Sequence, residues 1–489
     1  MRKSKLSEHK QNKKILITPF NQYLGKMVTF KSWQSRLPSL LWLAIIINKY
    51  GHIDGLAKCY RVIEFMEFSS IKVDDLKISS ILNLDDNKKE ILFDYINNIC
   101  EDKILDCLCL VVDDKIFRKK FYKISNTSNS RIKQLEKLIC ECYSKYSYLG
   151  TDLRFFFAYH QVLIGKLKLM SDSFTAKNTF NEYYRLDHSD PKMEIYRSDV
   201  RALELSFSMI NEDSQYSNSF WKKVGNFSEC ELYLMEFDKG DKNKMSVFCN
   251  DVEKELHNLI ANNFEKKSEE KFIVISGLFT YAFKILKDVC ENNLHNTISS
   301  RILLRTIMDI FINIKYLLFL ENDKPNVWRE FQDYGLGKFK LIYKKADEKY
   351  NLNENSHLTP KLLEAIVNDN FDEETMDIDL GYFDKTSIIK KFEDVGEKEL
   401  YDTLYDYDVS YSHAHWGAIR ESSMLKCDNV LHQLHIHPDE YSQQRSKSSD
   451  YDYILIFIKI MSVISTQYDG ISASFFEKYE VNKIESNNK

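Results

Sequence analysis

A chain of 489 residues with 44% hydrophobic and 13% aromatic side chains can build roughly two to four domains with buried cores, which excludes a disordered protein. A formal charge of -5, left by 68 basic and 73 acidic side chains, excludes coating of nucleic acid or anionic membrane by bulk electrostatics. Six prolines and fourteen glycines are too few for the frequent turns of an all-β fold, so the composition predicts an all-α protein.

Residues 1–14 carry Arg2, Lys3, Lys5, Lys10, Lys13 and Lys14 against Glu8 alone, the pattern of a disordered basic tail. No apolar core of an export signal accompanies them, which predicts a cytoplasmic protein. Residues 15–145 read as an N-terminal helical region. Its most apolar run, Leu37 to Ile47, stops at Asn48-Lys49, short of the roughly 20 residues that cross a bilayer, so it predicts a core helix and no membrane partner. Trp33 to Phe68 reads as two helices hinged between Tyr50 and Gly55. Trp33, Leu37, Pro38, Leu41 and Trp42 could alternatively form a surface for a protein partner in this region.

The ten cysteines include no C-x-x-C pair and read as reduced thiols. Cys107/Cys109 and Cys140/Cys142 are spaced so that a helix turns their sulfurs to different faces, which argues against zinc there. Residues 146–250 read as a connector or insert, mostly helical, with a polar break at Asp187 to Lys192. Residues 251–440 sharpen into a helical bundle: Phe272, Ile275, Phe279, Phe283 and Leu286 form one apolar stripe. Ile298 to Glu321 is apolar nearly all round and should be central, carrying Arg301, Arg305 and Asp309 at four-residue spacing on one face.

A loop from Asn351 to Pro360, a polar stretch from Asp369 to Asp379 and a helix from Thr386 to about Trp416 follow, with Thr386 or Ser387 as its N-cap. Residues 441–489 complete the chain with a C-terminal helix and tail. Between Asp406 and Pro438 stand five of the twelve histidines (His413, His415, His432, His435, His437) beside Asp406, Asp408, Asp428, Cys427 and Trp416. Tyr401, Tyr405, Asp408, Ser412 and His415 or Trp416 share one side of the predicted helix, and Arg301, Arg305 and Asp309 are their natural partners.

The runs Arg305-Thr-Ile-Met-Asp309, Ser410-Tyr-Ser-His413-Ala-His415-Trp416-Gly417-Ala-Ile-Arg420 and Cys427-Asp-Asn429-Val-Leu431-His432 resemble a bacterial all-helical domain family of unknown function, over about residues 265–440. That resemblance implies an all-helical fold and no particular activity. The segment after Asn429 departs from the pattern, which expects a proline near Val430 and a basic residue near Gln433. The bundle is also distantly similar to the HEPN-like ribonucleases of bacterial toxins and phage-defence effectors. This implies a metal-independent stress or phage-defence nuclease acting on RNA, with His413 as acid/base, Arg305 on the phosphate, Asp309 orienting and His415 beside them. In that superfamily an arginine precedes the histidine by about four to six intervening residues. Asp406, Tyr407 and Asp408 occupy those places here, and the spacing is met by Arg154 and His160 instead.

Two other readings stay open. A divalent metal, zinc or iron, could sit among His432, His435, Asp406 and Asp408, with His413, His415, His437 and Cys427 as further donors, although no H-E-x-x-H spacing of a metal hydrolase is present. Or the protein needs no cofactor, and the cluster is a set of satisfied polar groups in a regulatory or scaffolding protein, one that can form homo-oligomers. A catalytic or metal centre must open to a cleft, whereas a structural cluster can be buried. No phosphate-binding glycine loop, nucleophile elbow or kinase signature occurs.

Overall fold

The computed structural model describes residues 5–25, 33–167, 174–207, 214–237, 240–349, 357–368, 385–441, 444 and 446–479. It is predominantly helical and divides into two compact units, of which the first comprises residues 1–233 and 426–437 and the second residues 234–425 and 438–489. Most of the expected 351–360 loop, the polar stretch 369–379 and the first four residues of the basic tail lie outside the described residues.

In the first unit the basic segment is not wholly a frayed tail. β1 (Lys10–Asn12) pairs antiparallel with β2 (Ile15–Ile17), Lys10 opposite Ile17, and Lys13 takes the left-handed backbone of the turn. Helices α1 (Trp33–Tyr50) and α2 (His52–Phe68) form the expected hinged pair, and Gly51 supplies the positive φ between them. Trp33, Leu37, Pro38, Leu41 and Trp42 are buried. The two indoles donate inward, to the carbonyls of Cys142 and Leu76, so this stripe is core and offers no partner surface.

Helices α3 (Ser128–Cys142), α4 (Tyr148–Leu163) and α5 (Ser214–Gly225) pack into the same core. The stretch expected as a connector is therefore integral to the unit as far as β3 (Leu232–Tyr233). Arg154 and His160, which carry the nuclease-like spacing, are both buried on α4. Arg154 donates to the Lys145 carbonyl, and burial pushes the His160 imidazole down to about 4, which marks a neutral core histidine.

The second unit contains α6 (Lys242–Asn262), α7 (Glu270–Glu291), α8 (Ile298–Leu320) and α9 (Val327–Lys349). The α7 stripe from Phe272 to Leu286 is buried as its spacing predicts, and α8 runs through the core. The helix expected from Thr386 to Trp416 is broken twice. α10 (Ile388–Asp394), capped by Ser387, ends near Gly396 in left-handed backbone. A π-turn at Tyr401–Tyr405 then leads into α11 (Asp406–Ser412). α11 closes when the His415 amide bonds back to the Ser410 carbonyl at 2.8 Å with Ala414 at φ 50, a C-terminal cap of the kind that glycine usually makes. α12 (Trp416–Ser423) follows, then β4 (Met424–Cys427) and β5 (Ile436–Pro438), which extend β3 into a three-stranded sheet. α13 (Asp450–Ser465) packs against α8, where the Tyr453 hydroxyl donates to the Ser300 carbonyl at 2.9 Å. Among the described residues no helix is long and apolar enough to cross a membrane.

Candidate functional site

In the second unit, α8 and α11 with the preceding π-turn build a polar centre. The Tyr405 hydroxyl donates to Asp309 Oδ1 at 2.8 Å and accepts from an Arg305 guanidinium nitrogen at 3.3 Å. Arg305 and Asp309 lie 3.6 Å apart, and the guanidinium also sits over the Tyr405 ring. Burial raises the Asp309 carboxyl above its ordinary range, opposed by the Tyr405 hydrogen bond and by Arg305. Of the residues predicted to face Arg305 and Asp309, Tyr405 does so, and the three close on each other: the Arg305 guanidinium is already engaged by a carboxylate and a phenol.

One turn away, Arg301 is buried; it donates to the Lys447 carbonyl at 2.8 Å and lies 3.7 Å from Asp452. Its guanidinium stands over the Tyr407 ring. Asp408 is fully buried, and among the described residues neither carboxyl oxygen has a hydrogen-bond partner. Burial, with Asp452 adding to it and Arg301 opposing, pushes Asp408 up to about 8.

Arg301 therefore faces Tyr407 and Asp408 while Arg305 faces Tyr405, so the two helices run antiparallel. His413 follows Tyr405 by eight residues, about 12 Å along a helix axis and away from Arg305. His413 and His415 are exposed and stack on each other at 5.9 Å between ring centroids. The expected catalytic set therefore separates into Arg305 with Asp309, and His413 with His415. The metal candidates divide as well: exposed Asp406 and buried Asp408 belong to the second unit, His432 and His435 to the first.

In the first unit, His432 and His435 meet Cys427, which the sequence offered, and Cys230, which it did not. Their donor atoms lie within 4.8 Å of one another. Cys230 Sγ is 3.3 Å from His432 Nδ1 and 3.2 Å from His435 Nε2, and Cys427 Sγ is 3.6 Å from His432 Nδ1. Nothing in the sequence could have paired Cys230 with a segment some 200 residues later; only the β3–β4 register, Leu232 opposite Cys427, brings them together.

A second group that sequence reading missed joins His52, Asp152 and His188. The Asp152 carboxylate, buried on α4, accepts from the Tyr183 hydroxyl at 2.7 Å and faces His52 Nδ1 and His188 Nε2 at 3.3 and 3.4 Å. Burial works to raise Asp152, but the hydrogen bonds from His188 and His52 outweigh it and hold the carboxyl below its ordinary range. His188 Nδ1 faces the Arg197 guanidinium, which can only donate, so the proton of a neutral His188 lies on Nε2 and points at Asp152. His52 Nε2 lies 2.9 Å from the Leu186 carbonyl oxygen, so both nitrogens of His52 face oxygen acceptors.

The fold and this centre define a helical bundle with a half-buried, hydrogen-bonded Arg–Tyr–Asp group. Residues 272–430 match the model of a family of unknown function, DUF5677, within the segment whose motifs carried that resemblance. Comparison with curated proteins gave no match, and neither did comparison with solved structures.

Proposed function

We propose that the protein is a regulatory or scaffolding helical protein, and that the Arg305–Tyr405–Asp309 centre braces its bundle rather than cleaving RNA. The observation that supports this is the Tyr405 hydroxyl, which bridges Arg305 and Asp309 while His413 stands two turns further along. An acid/base histidine must come within hydrogen-bond reach of the proton it moves, and the phosphate cation must be free to meet the developing charge. The surface of the matched segment points the same way: a cleft of about 520 Å³ between α7 and α9 is lined by Ile273, Leu278, Phe331, Leu336 and Phe339 among others. It contains none of the expected catalytic residues.

The test compares wild type with Arg305→Ala, Tyr405→Phe and His413→Ala for growth after induced expression, cleavage of total RNA by purified protein, and thermal unfolding. Tyr405→Phe and Arg305→Ala are expected to lower stability by about 1–3 kcal/mol, His413→Ala to leave it unchanged, and none of the four proteins to cleave RNA. Cleavage by wild type that is lost in folded His413→Ala or Arg305→Ala would establish the nuclease reading instead.

A further inference from the structure

The Cys230, Cys427, His432 and His435 group brings two thiols to two imidazoles, and hydrogen bonding orients one of those imidazoles as in a metal site. His432 Nε2 lies 3.1 Å from the carbonyl oxygens of both Gly225 and Ser228. Carbonyls only accept, so in the neutral ring Nε2 carries the proton and Nδ1 presents a bare lone pair. That lone pair faces two sulfurs at once. A zinc ligand's imidazole is held in this way, its far N–H given to a carbonyl and its near nitrogen turned to the metal and the other ligands.

The spacing agrees. Zinc bonds of about 2.3 Å to sulfur and 2.0–2.1 Å to nitrogen place S and N about 3.5 Å apart across a tetrahedron. Three of the four S···N separations here are 3.2, 3.3 and 3.6 Å. The two thiol protons could account for two of these distances, Cys230 to His435 and Cys427 to His432, but not for the third, which turns Cys230 Sγ to the same His432 Nδ1 at 3.3 Å.

The backbone is shaped to deliver the ligands. The Asp428 amide bonds to the Glu231 carbonyl at 2.8 Å, and the Asn429 side chain ties the Glu229 carbonyl to the Leu431 amide. The Cys427 amide bonds to the His435 carbonyl at 2.8 Å. Gln433 and Leu434 both take left-handed backbone, φ 56 and 51, a cost that a branched residue such as Leu434 bears only where surroundings enforce it. This reversal turns His435 back onto Cys230. Beside the group, a cleft of about 470 Å³ lined by Asn218, Lys222, Asn226, Gln433 and others opens a route from solvent.

We propose that Cys230, Cys427, His432 and His435 form a structural Zn2+ site that fastens residues 426–437 to the first unit. Two thiolates and two imidazoles without a carboxylate suit zinc. Four protein ligands complete the tetrahedron and leave no position for a reacting water, so the site is structural and not hydrolytic. On binding, both thiols release their protons to solvent. The site belongs to the first unit, and the proposal does not depend on how the polar centre of the second unit functions.

The test uses the full chain, purified without chelator for zinc analysis, then stripped and titrated with Co2+ alone. One zinc per chain is expected, and Co2+ should develop tetrahedral d–d bands with thiolate charge transfer. Cys230→Ser and His435→Ala should weaken Co2+ binding by at least about 100-fold, more than loss of an outer-shell partner costs. Cys100→Ser, which alters a cysteine outside the group, should bind as wild type does. Because Cys230 is exposed, its serine variant should keep the wild-type circular dichroism, and chelator should lower the melting temperature of wild type but not of that variant. Absence of zinc together with absence of the Co2+–thiolate bands in wild type overturns the proposal, as does a folded Cys230→Ser that binds unchanged.

Discussion

Asp408 shows how one side chain can govern a pH response. Its carboxyl is enclosed without a hydrogen bond among the described residues, and burial pushes it up to about 8, whereas the unfolded chain titrates near 4. The folded state therefore holds this proton more tightly. The penalty for ionisation is absent below about pH 4 and grows as pH rises towards 8, at up to about 1.4 kcal/mol per unit. Asp408→Asn, which cannot ionise, is expected to be more stable than wild type by about 2–4 kcal/mol at pH 7 and to converge with it near pH 4. Urea unfolding of both proteins at pH 4.5 and pH 7.5 checks this, and parallel midpoints would refute it. Part of the site was legible at this scale: the four-residue spacing on α8 placed Arg301, Arg305 and Asp309 on one face, and the same periodicity named Tyr405 and Asp408 as their partners. Cys230, His52, Asp152 and His188 were not legible, because their neighbours are set by tertiary packing across long sequence separations.

Among the elements, the joints were harder to read than the helices. The hinge after Tyr50 carried glycine, and its partner Gly55 is needed for another reason: a Cβ there would meet Ile47 Cα at 2.5 Å and the Ile47 carbonyl oxygen at 2.9 Å. Backbone cannot yield as a flexible side chain can, so Gly55→Ala should force α1 and α2 apart and cost about 1–3 kcal/mol or more, measurable as a fall in the thermal midpoint. A midpoint unchanged within a degree would mean that the two helices pack less closely than described. The end of α11 carried no such signal. Ala414 occupies a left-handed position with a side chain that gives no hint of it, so Asp406 to Trp416 read as one helix. The π-turn before α11 is equally silent in the periodicity, although it is what carries Tyr405 into the Arg305–Asp309 pair.

Across the whole molecule, composition and periodicity predicted the helical class, but breaks placed near residues 145, 250 and 440 did not anticipate an interleaved chain. The polypeptide leaves the first unit after Tyr233, returns for Lys426–His437 and leaves again. A return of that length has no compositional border. Its anchor is Leu431, buried in the first unit's core with only 1% exposure. Leu431→Ala should destabilise that unit by about 2–5 kcal/mol and speed amide hydrogen exchange at Leu232 and Tyr233, whose strand pairs with the returning one. Unaltered exchange there would show that the strand pairing does not depend on the anchor.

The same return sets a timetable for synthesis. The ribosome finishes residue 233 roughly 200 residues before residue 437, a delay of about 10–40 s at ordinary elongation rates. Throughout that interval the nascent first unit lacks Leu431 and the strand that completes its sheet, leaving an apolar socket and an unpaired edge in view of chaperones and of neighbouring chains. Its final closure must therefore follow translation of most of the second unit, whatever the intrinsic folding rate of its own helices.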